Sequence, residues 1–337
     1  MLVTQQKVLR RFWYVVMPIG MLADGPKPFT LLGEKIVLWL DAEGKPAAVR
    51  DRCCHRTAKL SKGFCDSGLL VCGYHGWTFD RTGKCVRIPQ NPENMIPAGA
   101  KVDAYRCEER YGYVWVALDD PLQPIPELPE ANDPAFRHVH QFYETWKCGA
   151  FRLMENSFDS AHIAYVHRAT FGDMDSPRPV KRELTELPWG FETYAETPVR
   201  NRGTANKVLG VEGEGTVRTS RTRWFVPFAR RLGISYPNGL KHHIVTNATP
   251  IDDGTMQLVQ WCYRSDREED VSSADVVAWD RKITEEDREM LESTEYDACI
   301  DTMRRVEIHM DSDRPGLLMR KRLLELFREH GEDEVHL

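Results

Sequence analysis

The 337-residue sequence predicts an α+β protein in two parts, an all-β domain over residues 1–130 and a larger part mixing helix and hairpin over residues 131–337. Three observations carry that prediction. Apolar and polar residues alternate around turn signals through the first part. A proline-rich stretch follows, and a segment of helical pattern opens the second part.

Composition bounds the function. With 42% hydrophobic and 28% charged residues the chain reads as globular, and no apolar run reaches the ~20 residues that a membrane span needs. The apolar patch in MLVTQQKVLRRFWYVVMP is too short for a secretory core and lacks a small-residue cleavage site. A net charge of −6 argues against nucleic acid, because a phosphate-binding surface needs a basic excess. The basic runs Arg304-Arg305 and Arg320-Lys321-Arg322 read as solvated helix faces. Nine cysteines, an odd number spread over a long chain, differ from a secreted disulfide scaffold and fit a metal centre in a reducing cytoplasm.

In chain order, KIVLWLDAEGKPAAVRDRCC alternates across a turn as a β-hairpin does, and it ends on the first of two metal-ligating pairs. Cys53-x-His55 and Cys72-x-x-His75 are separated by sixteen residues, and each spacing lets one tight turn aim two side chains at one point. On ligand count a Cys2His2 zinc site can be drawn. Zinc fingers, however, pair Cys with Cys and His with His, whereas each loop here contributes one of each. That mixed arrangement is what a Rieske [2Fe–2S] cluster requires, with thiolates on one iron and imidazoles on the other. LLVCGYHGWTFDRTGKCVRIP supplies the second loop and a hairpin turning at Thr82-Gly83, and RYGYVWVAL reads as a further strand.

Five prolines in the eighteen residues DDPLQPIPELPEANDPAF exclude a long helix or inner strand and mark a linker. After it, WKCGAFRLMENSFDSAHIAYVHRATFG reads as a helix from about Phe151. Asn156, Asp159 and His162 step by three and fan over ~120° of one helix face. His167 is five residues beyond His162, so the two can share a metal only if the helix bends, bulges or ends between them. HHIVTNATPIDDGTMQLVQWCYR predicts two strands around Asp252-Asp253-Gly254.

The motifs CCHR, CGYHGW and N-x-x-D-x-x-H-x4-H together resemble the Rieske non-haem iron oxygenases, over nearly the whole chain. The family often has proline where Cys54 and Gly73 stand, and glycine where Thr57 stands. Cys54 loses the C-x-H geometry and is expected to be a thiol near the cluster; Cys65 and Cys85 are expected to be buried small hydrophobes. The resemblance implies a Rieske domain followed by a catalytic domain of helix-grip type. Cys53, His55, Cys72 and His75 would bind the cluster. His162, His167 and one downstream carboxylate would bind mononuclear Fe(II), with O2 as co-substrate. ITEEDREMLES supplies that carboxylate, Asp287, with Glu286 and Glu292 as rivals; Thr284-x-x-Asp287 also reads as a helix capping box. Asp159 would link His75 of a neighbouring subunit to His162, which implies a homotrimer, and Asn156 would modulate the site.

No nucleotide-binding loop is present, so NAD(P)H would act only indirectly, through a separate reductase and in some systems a ferredoxin. The opening FWYVVMP and the chain length look closest to the monooxygenase and demethylase branch, acting on a small organic molecule. Aromatic-ring cis-dihydroxylation is the alternative within the family, and a Rieske electron carrier without oxygenase activity the alternative outside it. RATFGDMDSPRPV and RWFVPFARRLGISYPNG are expected to line or gate the substrate pocket. Arg223, Arg230 and Arg231 are candidates to pair with a substrate carboxylate, with exposed structural arginines the favoured reading, and His138, His140, His242, His243 and His309 are expected to be structural.

Overall fold

The computed structural model describes residues 1–91, 95–202, 205–211 and 213–337. The chain divides into two compact units, Lys7–Ile125 and Met1–Gln6 with Pro126–Leu337.

Among the described residues the smaller unit is built from three antiparallel sheets. β1 (Tyr14–Pro18) pairs with a strand far along the chain, while β2 (Lys27–Leu31), β3 (Glu34–Leu40) and β4 (Pro46–Arg50) form a meander. β5 (Phe64–Asp66), β6 (Leu69–Val71), β7 (Thr78–Phe79) and β8 (Cys85–Arg87) form a second, smaller sheet. β9 (Arg106–Arg110) turns at Tyr111-Gly112 into β10 (Tyr113–Ala117), which pairs with β1. The two expected hairpins fall where the alternation placed them. Val37, Trp39 and Val49 of the meander and Leu70, Phe79 and Cys85 of the smaller sheet share one buried cluster, beneath the Cys53 and Cys72 loops.

The larger unit rests on a seven-stranded antiparallel sheet. Its strands are β11 (Arg137–Trp146), β12 (Lys181–Leu187), β13 (Gly190–Arg200), β14 (Gly215–Phe225), β15 (Ala229–Ser235), β16 (Lys241–Pro250) and β17 (Met256–Arg264), in the order β11-β17-β16-β15-β14-β13-β12. β16 and β17 are the expected hairpin around Asp252-Asp253-Gly254. The helices are α1 (Ala150–Phe158), α2 (Ile163–Val166), α3 (Ala205–Leu209), α4 (Ser273–Leu291) and α5 (Arg314–Glu329).

Three local expectations are corrected. The helix expected to run from Phe151 through both histidines breaks at Asp159, which has extended backbone (φ −81°, ψ 122°). The Asp159 carboxylate accepts from the backbone N–H groups of Ala161 and His162, offering the chain an alternative to the helical ladder. Asn156, Asp159 and His162 therefore do not share one helix face.

Thr284 and Asp287 lie well inside α4 rather than at its start. The cap is Ser272, whose hydroxyl accepts from Asp275 N–H, and Thr284 instead donates to the Asp280 carbonyl one turn back.

Arg320 is buried, not solvated. Its guanidinium makes a two-pronged pair with Glu155 (2.6 and 2.9 Å) and reaches Glu307, tying α5 to α1. A buried arginine is tolerable only when its charge and donors are met in this way.

Candidate metal centres and cavity

The two cysteine–histidine loops have one backbone design. Cys53 N–H donates to the Ala58 carbonyl and Thr57 N–H to Cys53; likewise Cys72 N–H donates to Trp77 and Gly76 N–H to Cys72. The residue four past each cysteine is left-handed, Thr57 at φ 58° and Gly76 at φ 72°. Glycine adopts that conformation freely and threonine does not, which explains the glycine expected at position 57. Gly73 also has a local reason. A Cβ there would lie 2.7 Å from the Lys62 carbonyl oxygen, so the second loop passes too close to its neighbour for a larger residue.

These turns bring the four predicted side chains together. The His55 and His75 rings are 4.6 Å apart, and His55 stacks on Trp77 at 4.6 Å and 2°. Cys53 and Cys72 are both buried. Burial, reinforced by Cys72, pushes the Cys53 thiol up to about 12, so a thiolate here needs a cation beside it. His55 Nδ1 is buried without a hydrogen-bond partner. Among the described residues, the groups whose ligand atoms all lie within 4.8 Å of one another do not include this quartet. Tetrahedral zinc would hold its ligand atoms roughly 3.5–4 Å apart. Paired thiols beside paired imidazoles, spread wider than one ion, fit a two-iron cluster. Cys54 and Cys65 are half-buried against the same core and Cys85 is fully buried.

The second centre lies within the larger unit. Asp159 ends α1 and starts the short turn that carries His162 and His167 at the two ends of α2. α4 brings up Asp287. The Nε2 atoms of His162 and His167 stand 3.6 and 3.4 Å from the same oxygen, Asp287 Oδ1. That oxygen also accepts from Asn156 Nδ2 at 3.0 Å.

The outward ring nitrogens face other carboxylates. His167 Nδ1 is 2.9 Å from Glu286 Oε2, and His162 Nδ1 is 3.4 Å from Asp159 Oδ2, longer than a full hydrogen bond. Burial alone would raise the Asp159 carboxyl. His162 and the Ala161 and His162 N–H groups outweigh it and hold the group below its ordinary value. Two imidazoles whose Nδ1 atoms are turned to carboxylates present bare Nε2 donors, and with Asp287 these form the two-histidine, one-carboxylate set suited to Fe(II).

The rival carboxylates have other partners. Glu286 also accepts from Thr170, and Glu292 accepts from Lys147 N–H and Arg288.

A cavity of about 150 Å³ adjoins this centre, a size that accommodates a benzene-sized ring. Alternate residues of the strands face it, as the two-residue period requires: Thr193, Ala195, Thr197 and Val199 on β13, then Leu232 and Ile234 on β15, with Tyr236 just past the end of that strand. Trp279, Ile283 and Asp287 of α4, spaced by four, close it.

Both expected lining segments contribute, the first through Phe171, which stacks on His167 at 4.8 Å. Arg223 lies over the Phe225 ring, and Arg231 pairs with Glu130. Arg230, one of the three candidate partners of a substrate carboxylate, and His242, expected to be structural, both border the cavity. Arg218, which the sequence did not single out, borders it too. The signal that could have found it is β14 itself, whose alternate residues Thr216, Arg218, Ser220 and Thr222 line the cavity.

A model of the Rieske [2Fe-2S] domain matches residues 12–106, and one of the vanillate O-demethylase oxygenase C-terminal domain matches residues 146–329. The chain belongs to the Rieske non-haem iron oxygenases.

Methylxanthine N1-demethylase NdmA of Pseudomonas putida is 31% identical over 97% of this chain and 92% of its own length. The structure of NdmA with caffeine superposes with a TM-score of 0.86 at 30% identity, covering 97% of this chain and 94% of that one. Dicamba monooxygenase bound to 3,6-dichlorosalicylic acid shares the fold, with a TM-score of 0.83 at 24% identity over 96% of this chain and 98% of that one.

This Rieske oxygenase is therefore the terminal component of a monooxygenating or demethylating system. It uses a [2Fe–2S] cluster, a mononuclear iron and O2. Members of the family take electrons from a separate reductase or ferredoxin and act on small molecules. Among the described residues no helix is long and apolar enough to cross a membrane.

Proposed function

We propose that this oxygenase removes a methyl group from the oxygen or nitrogen of a small organic molecule. The convergence of His162 Nε2 and His167 Nε2 on Asp287 Oδ1, beside a cavity sized for one ring, carries this reading. When bound, the cluster supplies single electrons and the iron activates O2. One oxygen atom enters the methyl C–H bond and the other leaves as water, with two electrons and two protons consumed. The hydroxymethyl product then releases formaldehyde.

This chain's residues set the geometry. Glu286 accepts from His167 Nδ1 and Thr170, fixing the imidazole that faces Asp287. Asn156 donates to Asp287 Oδ1 and aims that carboxylate. Leu232, Ile234 and Phe171 give the cavity apolar walls, Phe171 stacked on His167.

Asp159 has the further role of carrying electrons between subunits. Its side chain contacts His162 on one side and keeps about a third of its surface, leaving room for His75 of the partner subunit in a homotrimer. Residues 1–130 would then receive electrons and residues 131–337 perform the oxidation. Nine unpaired cysteines support the cytoplasm as the compartment.

Metal and sulfide analysis of anaerobically purified protein tests this reading: about three irons and two acid-labile sulfides per chain are expected. Formaldehyde should appear in proportion to O2 consumed when methoxy- or N-methyl-aromatic compounds are supplied with a surrogate reductase. A dihydrodiol product with no formaldehyde would replace demethylation by ring dihydroxylation, and zinc without sulfide would remove the oxygenase altogether.

A further inference from the structure

The charged residues around the cavity are unequally partnered. Several buried arginines of the larger unit meet a carboxylate: Arg320 meets Glu155, Arg264 meets Asp266, and Arg231 meets Glu130. Arg218 and Arg230 border the cavity and, among the described residues, make no ion pair. Arg218 has the Phe171 ring 4.9 Å from its guanidinium carbon. Arg230 has one long contact, 3.4 Å from Nη1 to the Ser157 carbonyl, and its Nε is buried with no acceptor.

The nearby acids have other partners. Asp280 accepts from Gln141 and faces His242, and Asp287 faces the two iron histidines. Burial lowers both arginines, Arg230 to about 10; Asp287 offsets part of this at Arg230 and Asp280 part of it at Arg218, while the Arg218 charge opposes Arg230, and both remain cations at neutral pH. Two desolvated cations with no carboxylate at ion-pair distance among the described residues, only the longer-range fields of Asp287 and Asp280, are a costly arrangement that a bound anion would relieve.

From this juxtaposition we propose that the substrate carries an oxyanion, a carboxylate or a sulfonate, that Arg230 grips inside the cavity with Arg218 as the second positive charge. This rests on the demethylase reading above and adds a substrate class to it. The apolar strand residues would then pack on the ring between the anion and the methyl group. Arg230 acts here as a specificity-determining residue and takes no part in the oxidation.

The test is equilibrium binding to the iron- and sulfide-replete protein, by calorimetry and without turnover. The probes are the ortho, meta and para methoxybenzoates, the matching methoxybenzenesulfonates and the neutral methoxybenzamides. At least one anion should bind about 10- to 100-fold more tightly than its amide, as charge-assisted hydrogen bonds require. Whether benzoate or sulfonate is tighter identifies the oxyanion.

Arg230→Met should remove most of that preference and leave amide affinity unchanged. Arg230→Lys should restore part of it, and Arg218→Met should weaken anion binding by a smaller factor. Thermal melting of each variant checks that it folds. Equal affinity for anion and amide, no anion binding at millimolar concentration, or equal losses for both probes in Arg230→Met would each overturn the proposal. Because binding needs no electrons, these failures stay separate from failure of the demethylase reading, which metal content and formaldehyde report.

Discussion

The two candidate metal centres are built in opposite ways. The cluster loops take all four side chains from residues 53–75, on two turns of the same hydrogen-bonded design. The second centre joins a broken helix at Asp159–His167 to Asp287, more than a hundred residues later, inside α4. The first is a local structure that the chain forms wherever its turns form. The second exists only once α1, α2 and α4 have packed together. A centre of the second kind depends on its supporting residues, because nothing in the local chain holds its parts in register.

The largest expected effect separates the two centres outright. Asp287→Ala should bring the iron content down to that of the cluster alone and activity to background, while acid-labile sulfide and the reduced Rieske EPR signal persist. Loss of sulfide in that variant would mean the centres are not independent.

Glu286→Gln comes next. Weakening the partner of His167 should cost about 10- to 100-fold in iron affinity or activity. Glu292→Gln, whose carboxylate serves Lys147 and Arg288, should leave both unchanged. Equal effects of the two would show that Glu286 is not the residue orienting His167.

Acid should expose a difference within the larger unit. Burial, then the Arg231 guanidinium, holds the His243 imidazole down at about 4, against an ordinary value of 6.5. The folded state therefore binds fewer protons than the unfolded chain between those values. Its stabilising contribution is complete above about pH 6.5 and is lost as pH falls toward 4. The melting temperature of wild type should decline over that window, and His243→Gln should flatten the decline; an unchanged slope would remove His243 as its source.

The smallest effect belongs to the local centre. Thr57→Gly relieves a left-handed threonine and should stabilise the first cluster loop by up to about 1 kcal/mol. The check is slower thermal bleaching of the cluster in that variant.

Much of this protein was legible in its sequence. Strand alternation located the hairpins around residues 35–50 and 242–264, since a two-residue period with a turn between needs no distant partner. The cysteine–histidine spacing located the cluster loops for the same reason, because a tight turn fixes its own side chains.

Features that depend on competition or on contacts were not legible. The helix break at Asp159 depends on a carboxylate outcompeting the helical ladder. The interior position of Asp287 follows from a cap set fifteen residues upstream at Ser272, and Thr284-x-x-Asp287 imitates that signal without serving it.

Arginines show the limit most directly. Arg320, Arg230 and Arg231 look alike in sequence, yet one is paired and buried, one is unpaired beside a cavity, and one is paired to Glu130. Sequence by itself determined which residues could bind metal, because ligand chemistry and turn spacing are local. Only the tertiary structure decided which charges have partners, because a partner is set by where distant strands and helices place it.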